Sequence, residues 1–293
     1  MNMQQQPSKM LTRMAPTPSG FLHAGNIYNF TLNWLAARKA GGQVLLRIDD
    51  LDAARMRPEY LDDIFRVLEA VGLDWDVGPA GPDDFMRNWS QKGRMESYIE
   101  LIEMLNNKGF AYACTCSRKE LAEKGLAGKY PGFCRHKNHI LVTDESALRL
   151  NVTSLPEGCW AGLNEQNLED PVILRRDGIP AYHIGSICDD LFWEVTHVFR
   201  GQDLKPATEI QQLIACAAGL TDFANIEFEH HPLLVNDEGE KLSKSAGANS
   251  FTLLDNLHNP VPVILHSFAL WKGMELKDTR PEKAADLLDF YIV

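Results

Sequence analysis

At 293 residues and 32.9 kDa, 45% hydrophobic and 24% charged, the chain has the composition of a globular protein of about two domains. No apolar run approaches the ~20 residues a membrane span needs, and the Gln-rich first ten residues hold no signal-peptide core, so the expectation is a cytoplasmic protein without a membrane partner. Lysine and arginine total 29 against 40 acids, and the resulting net charge of −11 excludes coating of nucleic acid by bulk charge while leaving room for a local basic groove.

In chain order, residues 11–17 read as a strand that runs into a turn at Pro16, Pro18 and Gly20. A helix is predicted over 27–39 and stops at Gly41 and Gly42. The apolar run 44–48 reads as a buried strand closing on Asp49, Asp50 and Asp52, followed by helices over 60–71 and 93–108. Strand, helix, strand, helix in that order favours a parallel α/β sheet. Near residue 110 the texture changes. The next sixty residues carry Cys114, Cys116, Cys134 and Cys159, many glycines and little helical period, and read as an insertion. From Val172 the α/β pattern resumes, with an apolar segment, a helix over 182–190, a strand over 194–199 and a helix over 208–218; the remainder is helix-rich with breaks at Pro260 and Pro262. The predicted organisation is therefore 11–110 and 172–250 as two halves of one α/β domain, 111–171 as an inserted subdomain, and 251–293 as a short helical segment.

There is no Gly-x-Gly-x-x-Gly and no Gly-x4-Gly-Lys-Ser/Thr loop, which argues against dinucleotide enzymes and P-loop NTPases. Between the first strand and helix stand His23, Gly25 and Asn26. A helix amino end offers free N–H groups to an anion, glycine permits close approach, and an imidazole donates to phosphate oxygens. Far along the chain, Lys241, Ser243, Lys244 and Ser245 fall within five residues. Two ammonium groups and two hydroxyls suit a polyphosphate whose negative charge grows in a transition state.

In this order the two elements resemble the signatures of the class I aminoacyl-tRNA synthetases, a His-x-Gly turn and a Lys-x-Ser-Lys-Ser loop. The run from Arg13 through Ala15, Thr17 and Gly20 is similar to the glutamyl and glutaminyl branch. So are the runs at residues 46–52 and 180–183, Asp189-Asp190, and residues 198–204. The resemblance covers roughly residues 11–250 and implies a Rossmann-like catalytic domain; the chain stops where that branch's anticodon-binding domain would begin. It implies adenylation of an amino acid by ATP with Mg2+ and transfer to tRNA, with His23, Lys241 and Lys244 catalytic. Gly25, Asn26 and Ser243 would join them around ATP. It places Arg13 at a substrate side-chain carboxylate, with Ala15 and Thr17 beside it, Asp49 at the α-ammonium, and Tyr182 and Arg200 completing the pocket. The plainer alternatives are a core role for Tyr182 and a structural Arg13–Asp49 pair. Asp49 departs from the bacterial glutamyl pattern, which usually has Glu there, so glutamate is favoured less firmly over a close analogue.

Within that family the short members suggest tRNA(Asp) bearing queuosine as acceptor. The alternatives are the 3′ end of tRNA(Glu) or tRNA(Gln), and non-tRNA adenylate chemistry. Those short members also have a zinc site spaced Cys-x-Cys, thirteen residues, Tyr, three residues, Cys, which falls here on Cys114, Cys116, Tyr130 and Cys134 and implies Zn2+. His136 and His139 are rival fourth ligands by position. The six cysteines do not read as a disulfide framework in a chain of this size. Cys159, Cys188 and Cys216 are expected in the core, and the protein is expected to be a monomer.

Overall fold

A computed structural model describes residues 9–126, 130–160, 169–233, 260–276 and 280–292. The chain divides into two units: Met1–Gly93, Glu194–Leu204 and Ile226–Val293 form the first, and Arg94–Trp193 with Lys205–Asn225 form the second.

In the first unit, β1 (Leu11–Met14) pairs in parallel with β2 (Gln43–Leu46), and the crossover between them is α1 (Ala24–Lys39). A second parallel pair is formed by β6 (His197–Gly201) and β7 (Glu227–His231). The starts of β1 and β6 lie side by side, because the Thr196 N–H donates to Leu11 O at 3.0 Å and Leu11 N donates to Thr196 Oγ1 at 2.8 Å. Side chains alternate along each strand. Met14, Val44, Leu46 and Phe199 accordingly join one core with Leu32 and Leu35 of α1, Ile64 and Leu68 of α2 (Pro58–Val71), and Phe268 of α8 (Val261–Trp271). Each fully buried side chain of this kind contributes about 1.5–3 kcal/mol. Arg13, next to Met14, and Arg200, next to Phe199, fall in the opposite phase. Helix α1 is buried through most of its length, and its chain reverses at Gly41 with φ +64°, a conformation that glycine adopts without strain. The strand–helix–strand order read from the sequence is present, though both strands are shorter than their apolar runs.

A short turn of helix, α3 (Pro82–Asp84), follows α2 in that unit. The second unit packs α4 (Met95–Asn107), α6 (Tyr182–Phe192) and α7 (Lys205–Ala218) beside an antiparallel sheet of β3 (Ala111–Cys114), β4 (Ala147–Leu150) and β5 (Val172–Leu174), ordered β3-β4-β5. The apolar segment at 172 therefore joins the sheet of the cysteine-bearing stretch instead of opening a new parallel strand. Its three residues are too few to carry a strand period. Asp189, fully buried on α6, accepts from Arg94 Nε and Nη2 (2.7 and 3.1 Å) and from Tyr98 Oη (2.6 Å), which fixes α6 to α4. Lys108 Nζ donates to Ala217 O and Ala218 O at 3.1 and 3.0 Å, satisfying carbonyls at the end of α7.

One cysteine expectation is corrected here. Cys159 and Cys216 form a disulfide, and Cys216 lies on the exposed side of α7 instead of in the core. Their sequence separation of 57 leaves no local spacing signal to read. Cys188 is a free thiol, pushed up to about 12 by burial. Among the described residues no helix is long and apolar enough to cross a membrane.

Candidate active site

The carboxyl ends of β1 and β2 stay paired beyond the strands. Arg47 N donates to Met14 O and Asp49 N to Pro16 O, each at 2.9 Å. With Arg13 opposite Leu45, the alternation places Arg13, Arg47 and Asp49 on one face of this ribbon. All three are buried, and so is Arg200 at the corresponding end of β6. Arg47 grips Asp49 through Nε–Oδ1 at 2.7 Å and Nη2–Oδ2 at 3.0 Å. The Arg200 guanidinium lies 4.8 Å over the Phe228 ring. Ala15 is half-buried and Thr17 exposed. Opposing charges thus stand in a protected place at strand ends, where α/β sheets bind ligands.

His23 is the N-cap of α1 with extended backbone (φ −127°, ψ 170°), and its N–H donates to Asn26 Oδ1 at 3.1 Å. A Cβ on Gly25 would stand 3.0 Å from His23 Cε1 and 3.1 Å from Nδ1, so glycine lets the imidazole lie against the first helical turn. The turn ahead of it is held from α2. Asp63, 2% exposed, accepts the Leu22 N–H at 3.0 Å, and Phe21 packs edge-on against Tyr60 with centroids 4.9 Å apart. Asp50 clamps the next loop by accepting from Ser90 Oγ (2.6 Å) and Gln91 N (2.8 Å), while Gln91 Oε1 accepts from Leu51 N (2.9 Å). The sequence reading missed Arg47, Asp50 and Asp63 in these roles. The phase of the strand could have flagged Arg47; nothing local could have flagged the other two.

Tyr182 belongs to the second unit, as the first residue of α6. It is 42% exposed, so the core alternative for it does not hold. Lys241, Ser243, Lys244 and Ser245 lie outside the described residues.

The cysteine site is also in the second unit. The ligand atoms of Cys114, Cys116 and Cys134 all lie within 4.8 Å of one another. Cys114 Sγ donates to Tyr130 Oη at 3.1 Å, and the same oxygen accepts the Cys134 N–H at 3.0 Å. Cys114 ends β3, and Ser117 then turns the chain by capping α5 (Arg118–Glu123) reciprocally with Glu120, which leaves Cys116 between the two elements. Burial raises the Cys134 thiol, but hydrogen bonds from Tyr130, from the backbone at Thr115 and from its two neighbouring thiols outweigh this and bring it to about 6. Cys116 is pushed up to about 11, first by burial. Among the described residues neither His136 nor His139 joins the thiol cluster; His139 lines a separate cavity of about 290 Å³ with Asn106, Tyr112 and Arg135. Behind the thiols, the Arg149 guanidinium lies 3.7 Å over the Tyr130 ring. Buried Asp170 accepts from Tyr112 Oη at 2.5 Å and from Arg135 Nη2 at 3.0 Å, fastening the segment to the sheet.

Comparison with known proteins adds four findings. A family model described as tRNA synthetases class I (E and Q), catalytic domain, matches residues 9–139 and 161–281. The glutamyl-Q tRNA(Asp) synthetase of Pseudomonas entomophila (strain L48) is 39% identical over 245 residues, which is 81% of this chain and 78% of that one. The glutamate–tRNA synthetase of Elizabethkingia anophelis superposes with a TM-score of 0.73 at 25% identity over 97% of this chain, which spans 66% of that one. Mycobacterium tuberculosis methionyl-tRNA synthetase, at TM-score 0.57 and 15% identity, shares the fold alone.

Proposed function

This chain belongs to the class I tRNA synthetases of the E and Q branch and is by that membership a ligase; from there we propose that it activates glutamate and passes it to queuosine of tRNA(Asp). The observation that carries the amino-acid choice is the set of buried charges at the ends of β1, β2 and β6. Arg13 offers a planar fork to the side-chain carboxylate, which glutamine lacks. Asp49 accepts the α-ammonium, Arg200 joins them in the pocket, and Ala15 and Thr17 stand beside Arg13; Tyr182 is assigned to the pocket by the resemblance alone.

The chemistry needs no protein nucleophile. An α-carboxylate oxygen of glutamate attacks the α-phosphorus of ATP in line, the bond to the bridging oxygen breaks, and pyrophosphate leaves. A hydroxyl of the acceptor nucleoside then attacks the acyl carbon, gives up its proton and expels AMP. The work of the protein is orientation and charge stabilisation. His23, Gly25 and Asn26 bind the triphosphate at the amino end of α1, and Lys241, Ser243 and Lys244 supply further donors. Mg2+ bound to the triphosphate neutralises part of its charge.

Three thiols and a phenol converging within the second unit suit zinc, and Cys114, Cys116, Cys134 and Tyr130 would hold it as a closed structural site in the subdomain read over 111–171. Protein purified without chelators then contains about one zinc per chain. A metal-free, folded protein with these thiols reactive overturns that part of the reading.

The acceptor is tested by charging with labelled glutamate, using tRNA from queuosine-replete and queuosine-deficient cells. Labelling of the replete pool alone supports the proposal. Equal labelling of both pools transfers the activity to the 3′ end of tRNA(Glu) or tRNA(Gln), and no labelling of either removes tRNA as acceptor.

A further inference from the structure

We propose that Arg47 is the positioning residue for recognition of the substrate α-ammonium, acting through the bidentate grip of its guanidinium on Asp49. The inference rests on the reading of Asp49 given above and deepens it. Arg47 and Asp49 are two residues apart in an extended segment, so they share a face. Backbone bonds to Met14 O and Pro16 O hold both ends of that segment in register with β1. The Arg47 side chain is 1% exposed, whereas Asp49 is 10% exposed, so the carboxylate alone of the pair reaches an accessible surface.

A carboxylate offers about four lone-pair sites, and a fork-on-fork arginine occupies two of them. The two oxygens of Asp49 are thereby fixed in position and in orientation before substrate arrives. A buried carboxylate without such a partner is costly and avoids burial by rotating toward water or by taking a proton. Either response costs the ammonium its acceptor.

The role separates experimentally from general support of the fold. In ATP–pyrophosphate exchange with acceptor tRNA present, Arg47→Met is expected to raise KM for glutamate about 10- to 100-fold, the scale of misorienting a recognition group. KM for ATP stays within about twofold, because the triphosphate is held elsewhere. The discriminating ligand is 2-hydroxyglutarate, which keeps both carboxylates and lacks the ammonium: its inhibition constant is expected to be unchanged in Arg47→Met. Arg47→Lys keeps the charge without the fork and falls between. If Arg47→Met does not fold, the same pair of constants is read on Arg47→Lys, which keeps the buried charge and the Asp49 carboxylate but cannot make the fork.

An unchanged KM for glutamate in Arg47→Met overturns the positioning role while leaving the proposed function standing. Parallel weakening of glutamate, 2-hydroxyglutarate and ATP overturns it in favour of a structural one. Absence of glutamate-dependent exchange in the unaltered protein overturns the reading of the site itself, and this inference with it.

Discussion

Removing the Cys159–Cys216 bridge is expected to lower stability without touching the charged cluster of the first unit. The bridge ties the 3-10 turn Glu157–Trp160 to the end of α7 and closes a loop with a sequence separation of 57. In the chain-entropy description, cross-linking a loop of that size removes about 14 cal/mol/K from the unfolded ensemble, or roughly 4 kcal/mol at 25 °C. For a chain of this length that corresponds to a fall in melting temperature on the order of 10 °C. The clean perturbation is Cys159→Ala/Cys216→Ala, since a reductant would also act on the thiols at 114, 116 and 134. Thermal unfolding of the double variant against the unaltered protein reads the magnitude. Thiol titration in denaturant with chelator and no reductant reads the bond itself, and four reactive thiols are expected instead of six. Six thiols, or a double variant that melts with the unaltered protein, refutes the reasoning.

Three further outcomes follow from other contacts. Asp63→Ala leaves the Leu22 N–H without its buried acceptor, at a cost of about 1–3 kcal/mol; it raises KM for ATP more than KM for glutamate in pyrophosphate exchange, and Asp63→Asn, which keeps an acceptor oxygen, restores most of the loss. Arg94→Met strands the fully buried Asp189 carboxylate and costs about 3–5 kcal/mol by urea unfolding, whereas Arg94→Met/Asp189→Asn recovers a large part of it. Burial holds His231 below its ordinary value, with Lys272 assisting and the Pro232 carbonyl, Asp203 and Glu229 opposing. Its imidazole therefore stays neutral in the fold, while the unfolded chain takes up a proton as pH drops below ~6.5. Stability is fully present above that pH and declines as pH falls. A melting series from pH 7.5 to 5.5 shows the slope, and His231→Gln flattens it.

Sequence alone determined the parts of this protein that depend on near neighbours. The α1 crossover between two parallel strands was legible because apolar runs and glycine stops act over a few residues. Cys114, Cys116, Tyr130 and Cys134 were named as a group through resemblance to the spacing of a family zinc site, and the three thiols do lie together. Arg13, Asp49 and Arg200 were legible through resemblance, and strand phase puts the first two on one face. Tertiary structure alone decided the partners. That Asp63 caps the turn before His23 and that Cys159 meets Cys216 are pairings set by where elements dock. The three-residue strand at 172 joined the antiparallel sheet for the same reason: so short a segment has no period of its own, and the hydrogen bonds offered by β4 settle where it lies. Contacts between residues tens of positions apart leave no periodic trace in a single chain, because they arise only once separate apolar faces have been buried against one another.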